Sequence, residues 1–203
     1  IQFKGDADGY LHDLQVAGLL QTGVGTLSAN LLINSDENYN RTYSGGLMSK
    51  DIHLGKLLGN SKFGHTQFNV EVEGFNYQNK YPESFVKGII SSFDYSDYRY
   101  ENITLDGIYK DGGFNGKLAL DDENGAIQID GTFNVAQRVS DINLKASVRN
   151  FRPNALNLSD KYVDSDISLN LTADFTGSSI DDVNGRILLD SLVMNTAEKQ
   201  SYF

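Results

Sequence analysis

Large aliphatic residues recur at every second position along most of the chain, with small polar or charged residues between them, from Leu27, Ala29, Leu31 and Ile33 to Ile167, Leu169 and Leu171. Side chains at i and i+2 leave a strand on the same side, so this period of two predicts a sheet with one oily face along its length. Strands are expected at Leu11–Leu20, Gly25–Ile33, Thr42–Met48, Thr66–Val72, Phe85–Phe93, Ile103–Tyr109, Gly113–Leu120, Ala126–Val135, Asp141–Asn150, Asp166–Phe175 and Gly185–Val193. Asp111-Gly112-Gly113, Asp121-Asp122-Glu123-Asn124-Gly125 and Gly177-Ser178-Ser179 supply the residues that short connections need, which makes neighbouring strands mostly antiparallel. Two segments break the alternation: Leu54-Gly55-Lys56-Leu57-Leu58, and Pro153-Asn154-Ala155-Leu156-Asn157-Leu158, where proline can open a single helical turn. The expected fold class is all-β, with one or two short helical turns.

The pattern also repeats. Leu14-Gln15-Val16-Ala17-Gly18 is similar to Ile103-Thr104-Leu105-Asp106-Gly107, roughly 90 positions on; Ile52 and Leu57 fall opposite Phe151 and Leu156, and Phe68, Val70 and Val72 opposite Ile167, Leu169 and Leu171, roughly 100 positions on. Gly88 and Ile90 match Gly185 and Ile187 in the same way. The chain therefore reads as a segment of a repeat array, with approximate copies at residues 11–100 and 101–203.

Composition removes several functions. A net charge of −10 leaves no basic stripe for a nucleic-acid backbone, so no nucleic-acid partner is expected, and anionic membrane surfaces are disfavoured as well. The chain has no cysteine, which excludes disulfides, thiolate metal sites and a cysteine nucleophile. No apolar run approaches the roughly 18 residues of a membrane-spanning helix. The opening Ile1-Gln2-Phe3-Lys4-Gly5 is strand-like, without an initiator Met or a leader pattern, and Lys199-Gln200-Ser201-Tyr202-Phe203 ends without a cap, so the segment is expected to lie within a longer protein.

Catalytic groupings are thin. His12, His53 and His65 have no metal-ligand spacing and read as surface or strand-end residues. Asp6-Ala7-Asp8-Gly9 lacks the later ligands of a calcium loop and reads as a turn, and Asp121, Asp122 and Glu123 sit together in one loop instead of facing each other across a cleft. Neither a phosphate-cradling glycine motif nor a nucleophile elbow is present. No enzyme, cofactor or metal site is expected. Phe93-Asp94-Tyr95-Ser96-Asp97-Tyr98-Arg99-Tyr100 reads as a tyrosine-rich strand, either an aromatic lip or a set of cross-strand pairs.

The oily face must be covered by something. Its candidate members are Leu27, Leu31, Ile33, Phe68, Val70, Val72, Leu118, Leu120, Ile127, Ile129, Phe133, Ile142, Leu144, Val148, Ile167, Leu169 and Leu171. They either line an open groove or close on each other as the core of a sandwich or solenoid, which would make the protein a structural or adhesive module that binds protein or glycan.

Two strings add a resemblance. DIHLGKLLGNSKFGHTQFNVEVEG (51–74) and GIISSFDYSDYRYENITLDGIYKDGGFNGKLALDD (88–122), the latter followed by IQIDGTFNV and SDINLKASVRNFRPNALNL, resemble the recurrent elements of AsmA-like proteins, in particular the TamB family of Bacteroidetes-type bacteria. Pro153-Asn154-Ala155 stands where the first copy has Leu54-Gly55-Lys56. The resemblance implies an elongated sheet curled into a half-pipe, or β-taco, with an apolar groove. It further implies a periplasmic bridge, anchored in the inner membrane by a segment outside this chain, that carries phospholipid or other lipid tails between inner and outer membranes. Other parts of the full protein would contact a BamA-like outer-membrane barrel. Unpaired strand edges make an edge-to-edge dimer of this segment a further expectation.

Overall fold

The computed structural model describes residues 2–10, 12–37, 40–76, 83–134, 140–161, 163–177, 184–196 and 200–202. They form thirteen strands and one short helix: β1 (Gln2–Tyr10), β2 (Asp13–Thr22), β3 (Gly25–Ser35), β4 (Arg41–His53), α1 (Leu54–Leu58), β5 (Phe63–Asn76), β6 (Glu83–Tyr95), β7 (Tyr98–Lys110), β8 (Gly113–Asp122), β9 (Gly125–Asn134), β10 (Ser140–Phe151), β11 (Asp166–Gly177), β12 (Asn184–Asn195) and β13 (Gln200–Tyr202). The strands follow one another in a single antiparallel meander from β1 to β13. Among the described residues the sheet does not close: each strand contacts its sequence neighbours, and β1 and β13 stand at its two ends. At about 4.8 Å per strand the stack is roughly 60 Å long.

Register sorts the side chains. Residues paired across neighbouring strands share a face, and one such row runs Phe3, Leu20, Leu27, Ser49, Phe68, Ile90 and continues Ile103, Leu120, Ile127, Val148, Leu169, Leu192. Each member of the second half stands about 100 residues beyond its counterpart in the first, so the spatial repeat is six strands long. The register pairs Phe3 with Ile103 and Phe68 with Leu169, whereas the sequence comparison had matched Leu14–Gly18 to the Ile103 strand and Phe68 to Ile167. Both halves carry a bulge near the end of the fourth strand, between Ser49 and Ile52 and between Val148 and Phe151. A short cap follows each bulge. α1 is the first; residues 152–158 are the second, a helical turn held by Leu156 N–H to Arg152 O (3.1 Å) and Leu158 N–H to Pro153 O (2.9 Å). The caps are tied back alike, His53 N–H donating to Val24 O and Arg152 N–H to Asn124 O.

Two expectations are corrected. Asp6-Ala7-Asp8-Gly9 is not a turn but part of β1, where Asp6 faces Ala17 and Asp8 faces Gln15; an edge strand whose residues are all exposed tolerates aspartates that a central strand would not. The tyrosine-rich stretch is not one strand but a hairpin that turns at Ser96 and Asp97, both at positive φ (50° and 63°), the backbone a two-residue hairpin requires. The Gly177-Ser178-Ser179 turn and the strand ends expected at Leu11 and Val135 lie partly or wholly outside the described residues.

Candidate functional site: the apolar face and the polar groove

All seventeen candidate aliphatic and aromatic residues lie on one face, because the register carries that face through every strand pair from β3 to β11. Sixteen are half-buried and Leu120 is buried. A two-layer sandwich would bury most of them; here the sheet is one layer thick, and their partial cover comes from neighbours on the same face.

Glycines interrupt this face where strands approach closely. Gly107, Gly116 and Gly131 form a cross-strand row, and at Gly116 (φ 156°) a Cβ would lie 2.3 Å from Asp106 O. The Phe114 ring lies over Gly107 and meets Phe133 at 5.5 Å between centroids, filling the gap a glycine leaves.

One end of the apolar face is closed. Leu156 of the second cap is fully buried against Tyr100 and Leu120, with Phe93, Tyr95, Tyr98, Ile103, Ile127 and Phe151 around them. The Tyr100 hydroxyl donates to Leu156 O (2.8 Å), and Asn157 Nδ2 donates to Ser96 O (3.2 Å). Burial pushes the Tyr98 phenol up to about 12 and raises that of Tyr100. Tyr98 donates to Asp122, accepts from Asn124 Nδ2 (3.0 Å) and meets the Tyr100 ring edge-on at 4.8 Å. The cross-strand reading of this aromatic stretch is therefore the one its geometry supports. Asp122 also accepts from the Glu101 (3.0 Å) and Asn124 (2.9 Å) backbone N–H groups, so its carboxylate braces a turn. Arg99 clamps Asp94 with two bonds of 2.7 and 2.9 Å and holds its carboxyl below the usual range.

Sequence reasoning missed the other face. Across β5 to β10 the register aligns Glu71, Lys87, Asp106, Lys117, Asp130 and Lys145 into a ladder of alternating charge. Lys87 and Asp106 are 2.9 Å apart, which raises the lysine, and Lys117 and Asp130 are 3.7 Å apart. The ladder borders a groove of about 990 Å³ that also takes in Asn69, Thr104, Gln128, Ser147, Asn170 and Thr172. Leu118, Ile129 and Leu171 border it only through backbone, since alternation sends their side chains to the apolar face. The signal was present at every second position between the aliphatics, but a cross-strand ladder becomes visible only once the register is known.

Two of the three histidines come together. His53 and His65 are cross-strand partners with rings 4.7 Å apart; His65 pairs with Asp51, and His53 caps α1 by accepting from Lys56 N–H (3.4 Å). His12 lies apart from them, beside Ser35 O (3.2 Å). Among the described residues no three ligating side chains group in a way that could hold a metal ion, and no helix is long and apolar enough to cross a membrane.

No family model matches the chain, and neither a curated protein nor a solved structure was found that resembles it.

Proposed function

We propose that the apolar face binds lipid acyl chains and that the chain is a segment of a periplasmic bridge passing phospholipid between two membranes. The observation that carries this reading is a set of largely apolar rows, broken at Ser49 and at the glycines, that cross the strand stack on a face that no second layer of described residues covers. The rows run perpendicular to the strands, along the long axis of the stack, which is the direction a tail would have to travel. A sixteen-carbon tail gains about 12 kcal/mol on leaving water, before its ordering cost. A surface without fixed polar anchors holds such a tail with little preference for any one position. The resemblance of residues 51–74 and 88–122 to TamB-type elements points the same way, and net flow would depend on parts of a larger assembly, a BamA-like barrel among them.

Photocrosslinking tests it. A photoreactive residue at Val70 or Leu169 labels phospholipid in cells, and one at Glu71 or Asn170, on the opposite face, does not; equal labelling from both faces overturns the proposal. The polar groove supports a second reading, a module that binds protein or glycan there, for which labelling of protein or saccharide from Glu71 and Asn170 is the expected result.

A further inference from the structure

The polar groove has two walls that keep step. On each strand from β5 to β11 it takes in two residues that flank a position of the apolar face, such as Asn69 and Glu71 on either side of Val70, or Gln128 and Asp130 on either side of Ile129. One wall is the charge ladder. The other runs in register across the same strands, from Asn69 on β5 to Asn170 on β11. Both walls alternate with a period of two strands. β5, β7 and β9 carry an acid on the first wall and an amide or hydroxyl on the second, at Asn69, Thr104 and Gln128; β6 and β8 carry a lysine on the first and an apolar residue, Ile89 or Ala119, on the second. β10 keeps the lysine but sets Ser147 across from it. The period is about 10 Å, and the trough between the walls is about 7 Å wide and about 30 Å long.

We propose that this trough binds a neutral β-1,4-linked glycan lying along the stack, across the strands. Charge selects against polyelectrolytes: the ladder residues from Glu71 to Lys145 alternate in sign and sum to zero, which gives a polyanion or a polycation no net field to follow. A neutral sugar uses both signs, because its hydroxyls donate to carboxylate and amide oxygens and accept from ammonium and amide N–H groups. Its ring also presents C–H surface, which Ile89, 51% exposed, and Ala119 meet between the polar positions. Spacing selects as well. A β-1,4-linked chain advances by close to one strand spacing per sugar and turns alternate rings over, so its disaccharide repeat matches the two-strand period of the walls. An extended peptide repeats about every 7 Å and falls out of step within a few residues. It also brings backbone N–H and C=O groups that need partners, and the backbone groups of the sheet are already paired between strands. Cross-strand stabilisation explains the Lys87–Asp106 and Lys117–Asp130 pairs by themselves, but it does not require a second wall that alternates in step with them. The assignment rests on the reading of the groove as a binding surface, deepens it, and stands apart from the lipid-binding face.

Calorimetric titration of the chain with cellohexaose, chitohexaose and maltohexaose tests the assignment. The two β-1,4-linked hexamers are expected to bind at least about tenfold more tightly than maltohexaose, whose α-linkages coil the chain, and more tightly than cellobiose, which is too short to reach along the trough. Gln128→Ala and Thr104→Val are each expected to weaken cellohexaose about fivefold with the thermal midpoint of unfolding unchanged. Asn115→Ala, on the same face but outside the trough, leaves the affinity as it was. No binding of either β-linked hexamer, equal binding of maltohexaose, or full affinity in either wall variant overturns the assignment. The wider reading of the groove fails separately. A photoreactive residue at Glu71 or Asn170 that captures protein and no saccharide in cells overturns the glycan and leaves a binding groove, whereas capture of neither removes both.

Discussion

The two caps occupy equivalent places in the two repeats and differ in what they bury. In the second, Leu156 is fully buried; in the first, Leu57 and Leu58 are 58% and 60% exposed. Local sequence does not account for this. Both caps follow a bulged strand, and both close with a residue in the left-handed region, Gly59 at φ 67° and Asn157 at φ 55°. What separates them is the strand pair next door. Leu156 enters a wall built by β6 and β7 at Phe93, Tyr95, Tyr98 and Tyr100, whereas β1 is itself the edge and no described strand stands beyond it to receive α1. Packing in this molecule is a nearest-neighbour property of stacked units, and the buried cluster forms only where one repeat meets the next.

The sharpest way to break that comparison is to delete both leucines in turn. Leu156→Ala removes a fully buried side chain and is expected to destabilise the sheet by about 3 kcal/mol or more in urea unfolding, while Leu57→Ala stays within about 0.5 kcal/mol. Equal losses would mean that α1 packs as tightly as its counterpart. Next in size is Tyr100→Phe, which keeps the ring and removes the bond to Leu156 O, at a cost of about 1 to 2 kcal/mol, since a buried carbonyl loses its partner.

The strands were largely legible from alternation, because the period of two is set by which side of the sheet is oily. The repeat was legible, its alignment less so. A slip of two residues along a strand keeps every aliphatic on the same face, so Phe68 can be matched to Ile167 or to Leu169 without disturbing the pattern, and only hydrogen-bonded register decides. The hairpin at Ser96 and Asp97 was hidden because it lacks the glycine that usually marks a two-residue turn. That glycine is replaced by tertiary support: Ser96 N–H donates to Lys62 O (2.8 Å) and Ser96 O accepts from Asn157. The seventeen apolar residues could be picked from the sequence one strand at a time, whereas Leu156, the residue that closes their end, lies outside the strand alternation, and its repeat match to the exposed Leu57 gave no sign of its burial.

A spectroscopic contrast follows from the same asymmetry. Tyr98 and Tyr100 belong to the packed junction that receives Leu156. Exposed tyrosines ionise near pH 10, but Tyr98 holds its proton to about pH 12. Its folded-state value is raised, so its contribution to stability is complete below pH 10 and disappears as pH climbs from 10 to 12. Tyrosinate absorbance is therefore expected to show a late component near pH 12 that Tyr98→Phe removes; a curve with every tyrosine titrating near 10 would mean the junction is wet.

The smallest effect concerns the clamp at the hairpin tip. Asp94 is depressed chiefly by its bond to Arg99, against the opposing effect of its partial burial. A depressed carboxylate contributes fully above its unfolded value, about 3.9, and the contribution is lost as pH falls through the lower folded one. Arg99 is more than half exposed, with 56% of its side-chain surface accessible, so solvent screens the pair and Asp94→Asn is expected to cost less than about 1 kcal/mol at pH 7, and less still as acid protonates the carboxyl. Measured in Leu156→Ala as well, the same substitution separates two roles for the clamp. If Arg99 and Asp94 only decorate the turn, the loss is unchanged in that background. If they hold the hairpin in the pose that receives Leu156, the loss shrinks once the leucine is gone, and the tip belongs to the same cooperative junction as the cap.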